Sequence, residues 1–229
     1  MKKNIIYSVC IAFVLLFLSE TLSAQSVAVV LKVKGEVSLT RGPQATKQKI
    51  RRGLRLVDGD KIITGGKSYA AVRFIDDASL IRVRSNSSCT IKAKKEDDKV
   101  LKNVYLEVGT LFARVTKQRG KFEISTPTSV ASVKGSACVV NQPDPESEDP
   151  TLYHGLEGQW EVSNDAGSAL LRSGQTVVVP DEKTAPYSRA TQPGETDGEG
   201  DEEVDDFEFE FENEKGERRV LRFGIQKEE

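Results

Sequence analysis

Asn103-Val-Tyr-Leu-Glu-Val-Gly-Thr-Leu-Phe-Ala-Arg-Val115 decides the fold class. Val104, Leu106 and Val108 alternate with Asn103, Tyr105 and Glu107; beyond Gly109, Leu111, Ala113 and Val115 alternate with Thr110, Phe112 and Arg114. A period of two sends successive side chains to opposite faces of a pleated strand. The branched and aromatic residues suit such a half-buried surface. Glycine is turn chemistry, so the stretch reads as two strands, 103–108 and 110–115.

The same habit extends in both directions. Upstream lie Cys89 to Lys94, then Leu80 to Arg84 and Tyr69 to Ile75 around the polar pair Asp76-Asp77, a hairpin pattern. Further back, Val27 to Val33 is apolar and branched, and Gly35 to Gly42 alternates. Downstream follow Lys121 to Ser125, Gln159 to Ser163 and Thr176 to Val179. Turn signals at Asp58-Gly59, Gly65-Gly66, Gly109, Gly120 and Gly174 punctuate the chain, and no window holds a 3.6-residue period. The expectation is an all-β body of stacked short antiparallel strands, a sandwich or a β-solenoid-like array.

The ends differ from this body. Lys2 and Lys3 precede an apolar run from Ile5 to Leu18, and Leu22-Ser23-Ala24 offers a small-residue exit. That is the layout of a secretory signal peptide, with a core short of the ~20 residues a membrane span needs. Residues 1–24 are therefore expected to be removed, leaving an exported, periplasmic or extracellular chain with no membrane span. The body is assigned to 25–180, an acidic flexible linker to 181–204, and a tail to 205–229. In the tail, Phe207-Glu-Phe-Glu-Phe-Glu212 alternates strictly and Arg219-Val-Leu-Arg-Phe-Gly-Ile225 follows a turn. This reads as a C-terminal β-hairpin with Glu208 and Glu210 facing Arg222 or Arg218. Two strands alone are marginal in water, so Phe207, Phe209, Phe211, Leu221 and Phe223 are candidates for docking it on something.

Charge is unevenly spread. Residues 25–190 hold 26 Lys+Arg against 19 Asp+Glu, and residues 191–229 hold 5 against 15. Opposite-sign segments on one chain point to self-association or a charged partner. In the body, Arg82 and Arg84 alternate with Ile81 and Val83, and Lys92 and Lys94 with Ile91 and Ala93. With Arg73 and Arg114 they are expected to form a positively charged sheet face. It would bind the acidic tail, an anionic envelope polymer or another protein; the alternative is the solvated side of half-buried strands. Nucleic acid is not expected for an exported, net acidic chain.

Cys89 and Cys138 form an even pair in an oxidising compartment. A bridge would stabilise by about 4 kcal/mol on loop entropy; the alternative is two small buried residues that never meet. Catalytic parts are scarce. His154 is the single histidine, which leaves no two-histidine metal site and no relay. Beside Tyr153 and Gly155 it reads as a turn or strand-edge residue. Asp197 to Asp206 offers hard oxygen ligands without the ordered spacing of a calcium loop, and is expected to be a solvated acidic run. No cofactor and no catalytic residue are assigned.

From about Gly53 to Val140 the chain resembles the FecR-like family. The matching residues are Gly53-Leu54 and Leu56, Asp58-Gly-Asp-Lys-Ile62 with Thr64-Gly65, and Ala70 to Phe74. They continue through Asp77-Ala-Ser-Leu80, Leu106-Glu-Val-Gly-Thr-Leu-Phe112, Phe122-Glu-Ile-Ser-Thr-Pro127 and Val133-Lys-Gly-Ser136. The chain departs from the pattern at Ala78, where Gly is usual, at Ser136, where Thr is usual, and at Cys138, where an aromatic is usual. The resemblance implies a non-catalytic, all-β extracytoplasmic domain. In its best-known members that domain relays a signal from an outer-membrane receptor to a sigma factor, through an N-terminal cytoplasmic segment and a membrane helix. A signal peptide in their place leaves the expectation of an envelope binding module, used in sensing or scaffolding. The rival expectation is a structural subunit that self-associates through the hairpin.

Overall fold

The two strands expected on either side of Gly109 are one. In the computed structural model, which describes residues 25–42, 46–96, 99–116, 120–133, 135–196, 207–212 and 218–223, Lys99–Val115 is a single 17-residue strand, β9. Gly109 has φ +99°, and a Cβ there would lie 2.6 Å from Ser87 Cα. Glycine alone takes that conformation without strain and lets the chain pass so close. The Thr110 amide donates to Ser87 Oγ at 2.9 Å. Gly109 is thus a corner rather than a reversal: the residues before it pair in one sheet layer and those after it in another.

The first layer runs β4 (Arg55–Val57), β1 (Ser26–Lys34), β6 (Tyr69–Phe74), β7 (Leu80–Val83), the second half of β9, β12 (Ser136–Gln142), β13 (Thr151–Glu157), β16 (Gln175–Val179) and β17 (Tyr187–Ala190), all antiparallel. The second runs β3 (Thr46–Lys49), β2 (Val37–Arg41), β5 (Lys61–Thr64), β8 (Ser88–Glu96), the first half of β9, β10 (Phe122–Ser125), β11 (Val130–Val133), β14 (Gln159–Asn164) and β15 (Gly167–Arg172). Only the β9–β10 pairing is parallel here. No helix occurs among the described residues. The body is a sandwich, not a solenoid.

The core lies between the layers. Val72, Phe74, Ile81, Val83, Leu111 and Ala113 from the first meet Ile62, Ile91, Val104, Leu106, Phe122 and Trp160 from the second in one buried cluster. Phe74, Phe122 and Trp160 stack edge to face, with centroids 5.6 and 6.4 Å apart. Lys102 occupies an inward position and is 1% exposed. Its Nζ donates to Asp76 Oδ2 at 2.7 Å and to Asp77, and lies 5.6 Å from the Phe74 ring centroid. The Asp76-Asp77 turn therefore also anchors one layer to the other.

The motif residues have local causes. Asp60 is fully buried and receives both Nε and Nη2 of Arg41, at 2.7 and 2.6 Å, plus the Val57 amide at 2.9 Å. This fork ties the turn after β4 to β2. Ala78 has φ +60°, the left-handed conformation that glycine takes freely.

Residues 187–190, read from composition as linker, instead extend the first layer as β17. The Ala190–Gln175 and Tyr187–Val178 pairs at its ends fix its register against β16. A separate two-stranded sheet joins β18 (Phe207–Glu212) to β19 (Arg218–Phe223). Phe207 pairs with Phe223, Phe209 with Leu221 and Glu208 with Arg222, while Glu210 stands opposite Val220 rather than an arginine. The expected leader, 1–24, and the acidic run 197–206 lie outside the described residues.

Candidate binding face

Register, followed across the first layer, lines up two rows on the face turned away from the core. The longer is Ala71, Arg82, Phe112, Val139, His154, Thr176 and Arg189, one residue from each strand from β6 to β17. The second is Val29, Arg73, Leu80, Arg114, Ala137 and Glu157. An outer face made of ordinary solvated side chains would be polar throughout. This one holds apolar residues: Phe112, Ala137 and Val139 are buried with Leu80 and Leu156 packed on them. Leu31 and Ala71 form a second small cluster with Val29 and Leu80.

Arginine frames those residues. The Arg82 guanidinium lies 5.2 Å from the Phe112 ring centroid and Arg114 lies 5.8 Å from it, within cation–π range. Arg114 Nη2 donates to Glu157 at 3.0 Å. Arg84 follows Val83, the last residue of β7, and its amide donates to the Thr110 carbonyl at 3.0 Å. Burial lowers the pKa of Arg73.

The six cations expected on one face are divided between two. Arg73, Arg82, Arg84 and Arg114 belong to the first layer, whereas Lys92 and Lys94 lie on β8 of the second. On that other face Lys92 lies 5.3 Å from the Tyr105 ring centroid, and Lys61 donates to Glu107 Oε2 at 2.5 Å. Alternation assigns a residue to one side of its own strand; it does not say which layer the strand joins.

His154 is an interior residue of β13 and is fully buried, not a turn or edge residue. Its Nδ1 is 2.9 Å from Thr176 Oγ1 and its Nε2 3.1 Å from Asn141 Nδ2. The network assigns a neutral ring whose Nδ1–H donates to Thr176 and whose Nε2 accepts from Asn141. Thr176 Oγ1 donates onward to Glu195 Oε2 at 3.3 Å. Arg189 grips Glu195 from Nη1 at 2.9 Å and from Nη2, and the Gln192 amide donates to it at 2.7 Å. The Arg189 hydrogen bonds hold the Glu195 carboxyl at about 2, while burial lowers His154. After β17 the chain thus turns back over the layer and is buttoned above His154 and Thr176. Glu195 lies far from His154 in sequence, so no local pattern signalled this.

The thiols do not join the histidine. Cys138 pairs with Gly155 and faces the core, whereas His154, the adjacent residue, faces outward. The Cys89–Cys138 bridge is not formed: both cysteines are free and buried. Cys89 sits beside Leu106 before the Gly109 corner and Cys138 beside Ala113 after it, so each belongs to its own layer. Burial pushes the Cys89 thiol up to about 12 and Cys138 well above its usual value, which disfavours the nucleophilic thiolate. Among the described residues, no group of three or more His, Cys, Asp or Glu is placed to hold a metal ion, and no helix is long and apolar enough to cross a membrane.

Residues 60–159 match the protein family described as FecR protein, so the resemblance read from the sequence holds over that stretch. Among solved structures, the chain is similar to two crystal structures of a protein described as a "putative anti-sigma factor" from Parabacteroides distasonis ATCC 8503. Identity is 16% and the TM-score 0.49 for each, over 58% of this chain and 60% of that one. The similarity spans less than two thirds of that protein. No curated protein matches the chain.

Proposed function

We propose that the chain is a non-enzymatic, extracytoplasmic binding module of the cell envelope, used in sensing or scaffolding, that takes a protein partner by strand addition at β17. The FecR match over residues 60–159 supports a role of the sensing and signalling kind. Tyr187 carries the rest: it is 52% exposed and stands on a strand whose one paired neighbour, among the described residues, is β16. Open edges invite another chain, and proteins discourage this with charge, especially lysine. β3 carries Lys47 and Lys49, and β4 carries Arg55. In contrast, β17 presents Tyr-Ser-Arg-Ala, its arginine already committed to Glu195.

The cationic first-layer face and the C-terminal hairpin would add charge and a second edge to the contact. The test is capture from envelope extract by the mature chain. Wild type retains a specific partner that Tyr187→Ser and Ala190→Pro both release; capture unchanged by either substitution contradicts strand addition at this edge.

A further inference from the structure

At the edge opposite β17, the chain crosses from β3 in the second layer to β4 in the first. Residues 42–57, which include this crossing, hold five bases and no acid. Lys47 and Lys49 stand opposite Thr40 and Ser38, on either side of the inward Leu39, so both point away from the core. Arg55 stands opposite Val29, which belongs to the outward face of the first layer. Arg51 and Arg52 lie on the crossing between them. The cations therefore wrap the edge from one outer face to the other, and all five are exposed. Among the described residues, the side chains of Lys47, Lys49, Arg51 and Arg55 have no acidic partner.

The crossing is held in place from both sides. The buried Ile50 donates its amide to the Val37 carbonyl in the second layer at 3.2 Å, and Gly53 donates to Val30 in the first at 2.8 Å. A groove of about 390 Å³ runs beside it. Buried Leu31 and Ile50 and half-buried Val33 line it together with exposed Lys49, Arg51 and Arg52. Three features narrow what this edge can take. Lysine on β3 discourages a pairing strand. The large apolar side chains exposed among the described residues, Ile75 and Tyr187, belong neither to the groove nor to the crossing, so the edge presents no wedge for a bilayer. Arginine forks hold carboxylates and phosphates through paired hydrogen bonds, and an apolar wall suits the rings that carry such groups. We propose that the β3–β4 crossing binds an acidic glycan strand. Lys47, Lys49, Arg51 and Arg55 hold its carboxylates or phosphates, and its rings lie against the groove. The site is separate from β17 and takes a different class of ligand, so glycan binding and partner capture can fail independently.

The test is fluorescence anisotropy of labelled polygalacturonate and of labelled dextran phosphate with a chain beginning at Gln25. At least one polymer should bind. Its affinity should fall at least about tenfold between about 50 and about 200 mM salt, as when several cations each release a counterion. Lys49→Glu/Arg51→Glu should cost at least about tenfold. Arg172→Glu/Lys183→Glu makes the same change of net charge at the other end of the sandwich and should cost less than about twofold, because screening confines the effect of each charge. Melting temperature checks that each variant folds, and Lys49→Gln/Arg51→Gln, with an expected loss of at least about threefold, stands in for the reversal if that does not fold. Binding of neither polymer, equal losses in the two charge-reversed variants, or neutral dextran bound as tightly as its phosphate each overturn the proposal. So do phosphatidylglycerol vesicles bound as tightly as the polymers, which would make the edge a membrane contact.

Discussion

Ala78 follows the Asp76-Asp77 pair that receives Lys102 from the second layer. At φ +60°, an alanine costs about 1–2 kcal/mol relative to a right-handed conformation, and a glycine there loses part of that gain to unfolded-chain entropy. Ala78→Gly is expected to stabilise by about 1 kcal/mol, raising the melting temperature by about 2–4 °C; an unchanged or lower melting temperature contradicts it. Lys102, buried against Asp76 and Asp77, is a larger liability. Removing one partner of a buried ion pair leaves an uncompensated charge and costs about 3–5 kcal/mol. Lys102→Met should therefore lose about that much in a denaturant titration. Adding Asp77→Asn should restore part of it, by more than a distant surface substitution would; strict additivity of the two would show that the charges do not interact. Lys102 lies just before the strand read from Asn103 and so was not placed from the sequence. Its partners were not legible, because they come from the other layer.

Elements show where local pattern stops being informative. Each strand's inward set followed from a period of two, since that period is a property of the strand alone. The assignment of strands to layers turned on Gly109, where the inward set shifts from even to odd positions and φ turns positive. For the same reason the expected cationic face merged residues of two layers, and β17 was missed because Tyr-Ser-Arg-Ala gains its strand character from pairing with β16. The strap that follows β17 should be acid-sensitive. The His154 pKa is depressed by burial, so the unfolded chain takes up that proton first, and stability falls as pH drops below about 6.5. The depressed Glu195 contributes stability that is whole above about 4.5 and is lost as pH falls toward about 2. Melting temperature recorded from pH 8 to pH 3 should therefore decline in two limbs. His154→Gln should remove the upper limb and Glu195→Gln the lower; a variant that keeps its limb refutes the assignment. The edge of β17 is separable from the strap. Thr191 donates to Gly174, so by antiparallel alternation the Ser188 and Ala190 amides point away from β16. Ala190→Pro should thus weaken partner capture while shifting the melting temperature by no more than about 2 °C.

At the scale of the molecule, both layers keep strand order close to chain order, so charge written along the sequence becomes charge laid across the sandwich. Residues 25–98 hold 16 Lys+Arg against 8 Asp+Glu, and residues 140–196 hold 3 against 10. Nine strand positions separate the edges by about 38 Å, several times the ~10 Å screening length in 0.1 M salt. The two ends therefore act on solution as separate poles. The basic one includes a groove lined by Lys32, Lys49, Arg51 and Arg52. The acidic one includes a groove lined by Asp144, Glu148, Asp149, Asp181 and Glu182. Unlike poles on opposite ends favour head-to-tail contact, which does not close on itself as a two-fold dimer does. A chain beginning at Gln25 should accordingly show a negative second virial coefficient in about 20 mM salt, rising toward zero by about 0.3 M as screening shortens. Asp144→Lys/Asp149→Lys should weaken the attraction, and adding Lys49→Glu/Arg51→Glu should weaken it further, because each change lowers the charge of one pole. A coefficient that ignores salt, or a quadruple variant that attracts as strongly as wild type, would mean that the charge asymmetry plays no part in association.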